Sequence, residues 1–227
     1  MLYKETVSVE MWELLQKLMN DEMLLDFNLV GGTALSLQIG HRLSIDIDLF
    51  TTKEFDEKLM LKYLEDKYPL KVRHIMENTI LMDINEIKVD VMAHQYPWQK
   101  PFKKEEEIRL TSLEDIGAMK LHAIFQSGTR IKDFVDIYFL LEHHPLQAYL
   151  DTYKNKYLGN TDLARYAILD HEKIDFEEKI MLMDGKEKNW DTMIERLRKA
   201  MITPHLKFVP KEPPKQGRNR NRGRGLR

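Results

Sequence analysis

The sequence predicts an α+β protein in which a short mixed sheet with helices is followed by a helical half. Residues 45–50 alternate between apolar and acidic side chains as far as Leu49 and end on Phe50, a pattern that is typical of a strand with one buried face. Residues 70–76, 79–84 and 87–92 are three further extended segments, separated by short polar breaks. From Thr111 onward almost every segment shows the spacing of amphipathic helices instead. The strands are therefore expected in the first half of the chain.

The other elements of the first half follow from apolar spacing and from glycine breaks. Met11 begins a series of apolar residues at helical spacing, so residues 11–19 are predicted to form a helix that packs on the core. Residues 27–30 are predicted to form a strand that ends at a Gly-Gly pair, after which a helix runs to Gly40. Residues 54–67 are charged with leucines interspersed, which is typical of a surface helix.

The second half of the chain is predicted to be helical. Its helices are expected at residues 112–126, 130–142, 146–156, 161–171 and 186–202. We therefore predict a first domain over residues 1–104, a helical domain over residues 105–210 and a disordered basic tail over residues 211–227. The tail is rich in Arg, Gly and Asn, a composition that cannot build a hydrophobic core.

The composition excludes several classes of protein. The 227 residues include no cysteine, which excludes a disulfide scaffold, a Cys-ligated zinc site and a thiol nucleophile. No apolar run approaches the roughly 18 to 20 residues of a membrane span, so we predict a cytoplasmic protein without a membrane partner. The formal net charge is −2, but residues 211–227 carry +6, so residues 1–210 carry −8. An acidic body argues against a large basic platform for nucleic acid.

Two aspartates share the polar face of the strand predicted at residues 45–50. Because successive side chains of a strand point to opposite faces, Asp46 and Asp48 lie on the same face. Residues 87–92 repeat the arrangement, and Asp90 supplies a third carboxylate if the two strands are neighbours. Three hard oxygen ligands suit Mg²⁺. The alternative is an ordinary solvated strand face, although aspartate is depleted in strands.

A candidate phosphate site lies just before this acidic strand. Gly31, Gly32 and Thr33 connect a predicted strand to a helix N-terminus, where backbone N–H groups and a partial positive charge suit a phosphate. Arg42 and Ser44 add a cation and a hydroxyl shortly before the acidic residues. A glycine pair by itself is equally expected in an ordinary turn, so the prediction depends on the combination.

The chain resembles a known family over roughly residues 27–142. The resemblance is carried by Leu-Val-Gly-Gly-Thr-Ala-Leu at residues 29–35 and by Gly-His-Arg-Leu-Ser-Ile-Asp-Ile-Asp-Leu-Phe at residues 40–50. Together they look like the first motif of the DNA-polymerase-β-like nucleotidyltransferases and, more narrowly, of the AbiEii/AbiGii abortive-infection toxins. The resemblance implies a polymerase-β-like catalytic domain, two Mg²⁺ ions on Asp46, Asp48 and Asp90, and a triphosphate on the glycine turn. It also implies an RNA acceptor, with tRNA expected, and a cognate antitoxin protein.

Lys120 interrupts the apolar stripe of the first helix in the second half. An unpaired ammonium is costly there, so the lysine is expected either to snorkel or pair with a buried acid, or to reach a phosphate. Lys-Leu-His-Ala at residues 120–123 matches a Lys-Leu-x-Ala element of the toxin family. Asp133 and Asp136 match two further family aspartates, with Lys132 where the family usually has arginine. The resemblance implies that Asp133, with Asp136 as the second candidate, orders Lys120 or the acceptor.

The sequence thus predicts a Mg²⁺-dependent nucleotidyltransferase that transfers NMP from an NTP to a hydroxyl of RNA, as the toxin of a bacterial toxin–antitoxin or abortive-infection system. The predicted catalytic residues are Asp46, Asp48, Asp90, Lys120 and Asp133, of which the first three are also the predicted metal ligands. The predicted NTP-binding residues are Gly31, Gly32, Thr33, Arg42, Ser44 and Lys120.

Two alternatives to an RNA-modifying enzyme remain open at the level of sequence. One is a nucleotidyltransferase that modifies small molecules, as antibiotic-modifying enzymes do, and the other is an inactive module that binds RNA or protein. An RNA acceptor needs a positive path on an acidic body. Either the basic tail supplies that path or a local cluster does, and the candidate cluster consists of Arg73, Lys120, Arg130 and Lys132.

Overall fold

A seven-stranded mixed sheet is the centre of the first half of the chain. In the computed structural model, which describes residues 1–209, the strands are β1 (Asn28–Leu29), β2 (Asp46–Thr51), β3 (Leu70–Met76), β4 (Thr79–Ile84), β5 (Ile87–Ala93), β6 (Lys103–Glu105) and β7 (Ile108–Leu110). Their order in the sheet is β3-β4-β5-β2-β1-β7-β6. The predicted α+β class is confirmed, while the tail predicted at residues 211–227 lies outside the described residues.

Helices surround the sheet and form the second half. They are α1 (Val9–Met19), α2 (Gly31–Ile39), α3 (Glu57–Lys67), α4 (Leu113–Gln126), α5 (Ile131–Leu140), α6 (Leu146–Tyr157), α7 (Thr161–Ala167) and α8 (Trp190–Ile202). Each predicted helix is present, but α8 begins four residues later than predicted because the Asn189 side chain caps it by accepting from the Thr192 N–H (3.0 Å). Within residues 1–209, no helix is both long and apolar enough to cross a membrane.

The two acidic strands are neighbours at the centre of the sheet. β2 and β5 run parallel, and Asp48 lies beside Asp90 in register. The alternate residues Ile47, Leu49 and Val89 are completely buried in the hydrophobic core. Because a shift by one residue would move this apolar set to the opposite face, burial of the core face also specifies the register of the aspartates. The condition that the sequence left open for Asp90, that the two acidic strands are neighbours, is therefore met.

The β6–β7 hairpin is an element that the sequence pattern does not predict. Its strands are short and charged, and its turn is formed by Glu106 and Glu107 at positive φ rather than by glycine. β7 nevertheless pairs in parallel with β1, and the Arg109 guanidinium donates to three main-chain carbonyls, those of Met19, Leu24 and Phe27. The domain boundary predicted at residue 104 lies inside this hairpin, and the division into domains stays a prediction.

Helix α4 connects the two halves of the molecule. Ser112 caps it, because its Oγ accepts from the Asp115 N–H at 3.0 Å. α4 packs against α5, α6 and α7 in the helical half and against α2 in the sheet half. Gly117 allows this close packing, since a Cβ at this position would collide with the ring of Tyr149 on α6. The buried side of α4 therefore lies close to α2, next to the acidic strand.

Candidate active site

One open cleft between the sheet half and the helical half contains most of the predicted site residues. Those in its walls are Gly31, Gly32, Arg42, Ser44, Asp46, Asp48, Lys120 and Asp133. Thr33 and Asp90 do not line it. The α2 N-terminus and β2 form one wall, and residues of α4, α5 and the segment 179–181 form the other. The structure thus brings together residues that are up to about a hundred positions apart in the chain.

The aspartates of β2 lie in the cleft, and β2 itself carries no basic residue that would balance their charge. Asp46 and Asp48 are half-buried on the face opposite the core, and one oxygen of Asp46, Oδ1, is buried with no hydrogen-bond partner among the described residues. Burial, followed by the neighbouring Asp90 carboxylate, raises the pKa of Asp48 to about 6, although Lys120 opposes the shift. Buried polar atoms are normally paired, so an unpaired carboxylate oxygen beside a second carboxylate fits a cation.

Asp90, the third predicted carboxylate, pairs with an arginine instead of facing the cleft. Arg73 Nη2 lies 2.5 Å from Asp90 Oδ1, and Arg73 Nε lies 3.0 Å from Asp83 Oδ1. Accordingly, no three acidic or histidine side chains of residues 1–209 converge on one point as a complete metal site. The strand register brings Asp90 next to Asp48, but its side chain is held by Arg73.

The two glycines allow the backbone to approach the charged groups of the cleft. Gly31 has a φ of +67°, and a Cβ there would collide with the Asp48 carboxylate. A Cβ on Gly32 would collide with the guanidinium of Arg42. Both glycines are the first residues of α2, where the N–H groups have no partner within the helix. The α2 N-terminus therefore presents free donors directly between an aspartate and an arginine.

Thr33 supports the site from behind rather than lining it. Its side chain is buried, shares a hydrogen bond with the Ser44 hydroxyl (2.8 Å) and donates to the main-chain carbonyl of Asp46. These bonds attach α2 to the start of β2. Of the two hydroxyls that the sequence assigns to NTP binding, only that of Ser44 lies in the cleft wall.

Asp136 is the centre of a buried charge network behind the cleft. It is completely buried on α5 and accepts from Arg42 Nε (2.7 Å) and Nη2 (3.0 Å), while His41 Nε2 lies 2.8 Å away. Burial alone would raise the pKa of Asp136, but the pairs with Arg42 and Lys120 hold this pKa well below its usual range. The bidentate geometry with Arg42 is the strong form of such a pair. The sequence indicated Asp136 only as a second candidate, and His41 carried no separate signal.

Lys120 pairs with buried acids, which is one of the alternatives that the sequence left open, and it also lines the cleft. Its Nζ lies 2.7 Å from Asp133 Oδ1 and 2.8 Å from Asp136 Oδ2, and its side chain is buried while it also lines the cleft. Burial would lower the pKa of Lys120, but the two aspartates raise it. The ammonium is therefore charged at neutral pH and is held at the cleft by its ion pairs.

Three further cations line the cleft beyond those in the predicted site. They are Arg130, Lys132 and Lys179, and Lys132 pairs with Glu178 at 2.8 Å. Residues 179–181 reach the site because the Leu43 N–H donates to the Met181 carbonyl (2.8 Å). Of the four residues of the candidate basic cluster, Lys120, Arg130 and Lys132 line the cleft and Arg73 does not. Lys179 falls in a stretch without helical or strand periodicity, so nothing in the sequence pattern indicates it.

Comparison with known proteins identifies a family for this arrangement. Residues 13–70 and 67–211 match the family described as nucleotidyl transferase AbiEii toxin, type IV toxin–antitoxin system. An uncharacterized protein of Aquifex aeolicus (strain VF5), aq_aa25, is 32% identical over 139 residues, which are 60% of this chain and 67% of that protein. The two matched family segments together cover the sheet, the cleft and the helical half.

Two solved structures resemble the fold. The crystal structure of a candidate nucleotidyltransferase from H. pylori has a TM-score of 0.54 at 18% identity, covering 86% of this chain and 91% of that one. The crystal structure of JHP933 from Helicobacter pylori has a TM-score of 0.50 at 16% identity, covering 90% and 94%. At these identities the likeness concerns the fold alone, and it extends over both halves of the chain.

Proposed function

We propose, since the chain belongs to the AbiEii family of nucleotidyl transferase toxins, that its cleft transfers NMP from an NTP to a hydroxyl group of RNA in the presence of Mg²⁺. tRNA is the expected acceptor, and a cognate antitoxin protein is the expected partner in the cell. The observation that carries the proposal is a buried oxygen of Asp46 that has no hydrogen-bond partner among the described residues. It lies beside Asp48 in a cleft lined by several cations.

The cations of the cleft are suited to bind a triphosphate. Arg42 uses Nε, one Nη2 hydrogen and one Nη1 hydrogen for Asp136 and the Leu43 carbonyl, which leaves two of its five N–H groups. Lys120 uses two of its three donors for Asp133 and Asp136, which leaves one. Together with the free N–H groups of Gly31 and Gly32, these donors point to the binding and stabilisation of a pyrophosphate leaving group.

The carboxylates are suited to hold a divalent cation and the acceptor hydroxyl. Asp46 and Asp48 would be its first ligands, and Asp90 would join them by leaving Arg73. Such an ion supplies charge neutralisation at the phosphate and orients the reacting oxygens. In the proposed reaction the hydroxyl oxygen forms a bond to the α-phosphorus, the bond to pyrophosphate breaks in line with it, and Asp90 accepts the hydroxyl proton.

A transfer assay with matched aspartate variants tests this proposal. Labelled NTPs, Mg²⁺ and total tRNA are incubated with the wild type, Asp46→Asn, Asp48→Asn and the control Asp26→Asn, which removes an exposed aspartate outside the cleft. We expect each site variant to lose more than about 100-fold in rate, since even outer-shell partners of metal ligands are worth about 10- to 100-fold. Transfer by Asp48→Asn at the rate of Asp26→Asn would refute the assigned site.

A small cationic molecule is the second candidate acceptor. The negative charge of residues 1–210 favours it over a polyanion, because an acidic body attracts cations and repels phosphates. The same assay distinguishes the two acceptors when an aminoglycoside replaces tRNA. Label transfer to the aminoglycoside alone would support this second candidate and remove RNA from the proposal.

A further inference from the structure

We infer that a patch of aromatic side chains at one end of the cleft binds the terminal base of the RNA acceptor. The aromatic patch consists of Phe50, His94, Tyr96, His122 and Tyr157. The inference rests on the proposed function, because it names the part of the acceptor that the same cleft recognises. None of the five residues belongs to the glycine turn, the carboxylates or the charge network described above.

The aromatic patch begins directly beside the carboxylates. Phe50 follows Asp48 on the same face of β2 and lines the cleft, so the two residues are roughly 7 Å apart along the strand. His94 follows Asp90 just beyond the end of β5, where its N–H donates to the Thr51 carbonyl at 2.7 Å. The two acidic strands therefore both lead into aromatic residues at the same edge of the site.

The rings of the aromatic patch form a continuous surface. The ring centroid of His94 lies 5.7 Å from that of Phe50 and 4.9 Å from that of Tyr96. Tyr157 lies 4.7 Å from Tyr96 and stacks on His122 at 3.9 Å with an interplanar angle of 5°. Tyr96 is 40% exposed, and of the five residues Phe50 lines the cleft while the others continue the aromatic surface beyond it. These rings hold one another in place and leave the Tyr96 face accessible, which lowers the entropic cost of stacking a ligand on it.

The aromatic patch carries no formal charge at neutral pH. Burial, assisted by Lys156, lowers the pKa of His94 to about 4, and burial also lowers the pKa of His122. His94 is further fixed by a hydrogen bond of 3.1 Å between its Nε2 and the Tyr157 hydroxyl. Neutral aromatic faces suit the faces of nucleobases, and unpaired bases of RNA are recognised by stacking of this kind. Phosphates would instead require the cations of the cleft.

The position of the aromatic patch favours the acceptor over the base of the NTP. The cations Arg42 and Lys179 lie at the start of β2, since Leu43 and Met181 are paired there, whereas Phe50 lies near its end. In an in-line transfer the acceptor oxygen and the leaving pyrophosphate lie on opposite sides of the phosphorus. With pyrophosphate at the cationic end, the acceptor enters at the aromatic end.

An equilibrium binding experiment with two RNAs tests the inference. The probes are a hairpin RNA with a four-nucleotide single-stranded 3′ end and the same RNA with an abasic 3′-terminal residue, both followed by fluorescence anisotropy at one salt concentration. The proteins are the wild type, Tyr96→Ala, Tyr96→Phe and the control Tyr166→Ala, whose side chain is 59% exposed and is not part of the aromatic patch. Thermal unfolding of each variant verifies that it is folded.

We expect the wild type, Tyr96→Phe and Tyr166→Ala to bind the intact RNA about tenfold more tightly than the abasic RNA, the scale of one stacked base. Tyr96→Ala is expected to bind both RNAs with the lower affinity and to keep its affinity for NTP. Equal binding of the two RNAs by the wild type would overturn the inference, as would a loss of NTP affinity in Tyr96→Ala. The binding experiment involves no turnover. A failure of NMP transfer would therefore refute the proposed function without changing what the RNA-binding measurement says about the aromatic patch.

Discussion

The aspartates of β2 and those of α5 differ in the direction in which the protein shifts their pKa values, upward for Asp48 on β2 and downward for Asp136 on α5. Asp46 and Asp48 face an open cleft, where one Asp46 oxygen has no hydrogen-bond partner within residues 1–209 and the pKa of Asp48 is raised to about 6. Asp136 is completely buried, yet its pKa lies well below the usual range because Arg42 and Lys120 surround it. The comparison teaches that the charge of a buried carboxylate is decided by its partners. The first group concentrates negative charge, while the second is neutralised within the protein.

The two groups are connected by the residues that they share. Arg42 and Lys120 are fixed by Asp136 from behind and line the cleft in front. We interpret the Asp136 network as a support that joins α5 and α4 to the loop before β2 and holds two cations at the phosphate side. On this interpretation Asp136 contributes chiefly to stability, whereas the aspartates of β2 contribute chiefly to ligand binding.

The largest effect on stability is expected from Asp136→Ala. Removing this carboxylate takes away the negative charge that balances the buried positive charges of Arg42 and Lys120. Such a loss typically costs about 3–5 kcal/mol of the free energy of unfolding. Denaturant unfolding at pH 7 measures it. Asp83→Ala is the control, because it breaks a half-exposed pair with Arg73 and is expected to cost less than about 1 kcal/mol. Similar losses in the two variants would refute the distinction.

An intermediate effect is expected from Gly31→Ala. Gly31 and Gly185 both have positive φ (67° and 76°), but an added Cβ meets the Asp48 carboxylate at Gly31 and nothing within 4 Å at Gly185. Both substitutions should therefore cost about 1–2 kcal/mol of backbone strain. Only Gly31→Ala should also weaken NTP binding, measured by calorimetry. Unchanged NTP affinity in Gly31→Ala would show that close approach of the backbone at this turn is not needed.

The smallest effect is a pH dependence that Asp48 introduces. Its pKa is raised from 3.8 to about 6 in the folded protein, so between these values the folded state binds more protons than the unfolded chain. The free energy of unfolding should therefore fall, on the order of 1 kcal/mol, as the pH rises from about 4 to 6. Asp136 acts in the opposite sense, because its lowered pKa makes its contribution disappear as the pH falls below about 4.

The matched variant for this pH dependence is Asp48→Asn, which has no titrating group at this position. As the pH rises from 4 to 6, the free energy of unfolding of the wild type should fall relative to that of Asp48→Asn. Urea unfolding at half-unit pH steps measures the difference. Parallel curves for the two proteins would show that the Asp48 carboxylate keeps an ordinary pKa.

The sequence by itself determined which face each residue occupies. Strict alternation places Asp46 and Asp48 on one face of a strand, and it places Asp90 on the corresponding face of β5. Helical spacing likewise places Lys120 among buried apolar residues of α4, where its burial is confirmed. These predictions succeed because the periods of strands and helices are local properties of the backbone.

Only the tertiary structure decided which partner each of these residues meets. Arg42 and Asp136 are 94 positions apart, and their pairing follows from the packing of α5 against the loop before β2. Asp90 pairs with Arg73 and does not line the cleft, and Lys179 reaches the cleft from a segment with no periodic pattern. A local pattern specifies direction but not partner, because contacts between distant elements depend on how the whole chain packs.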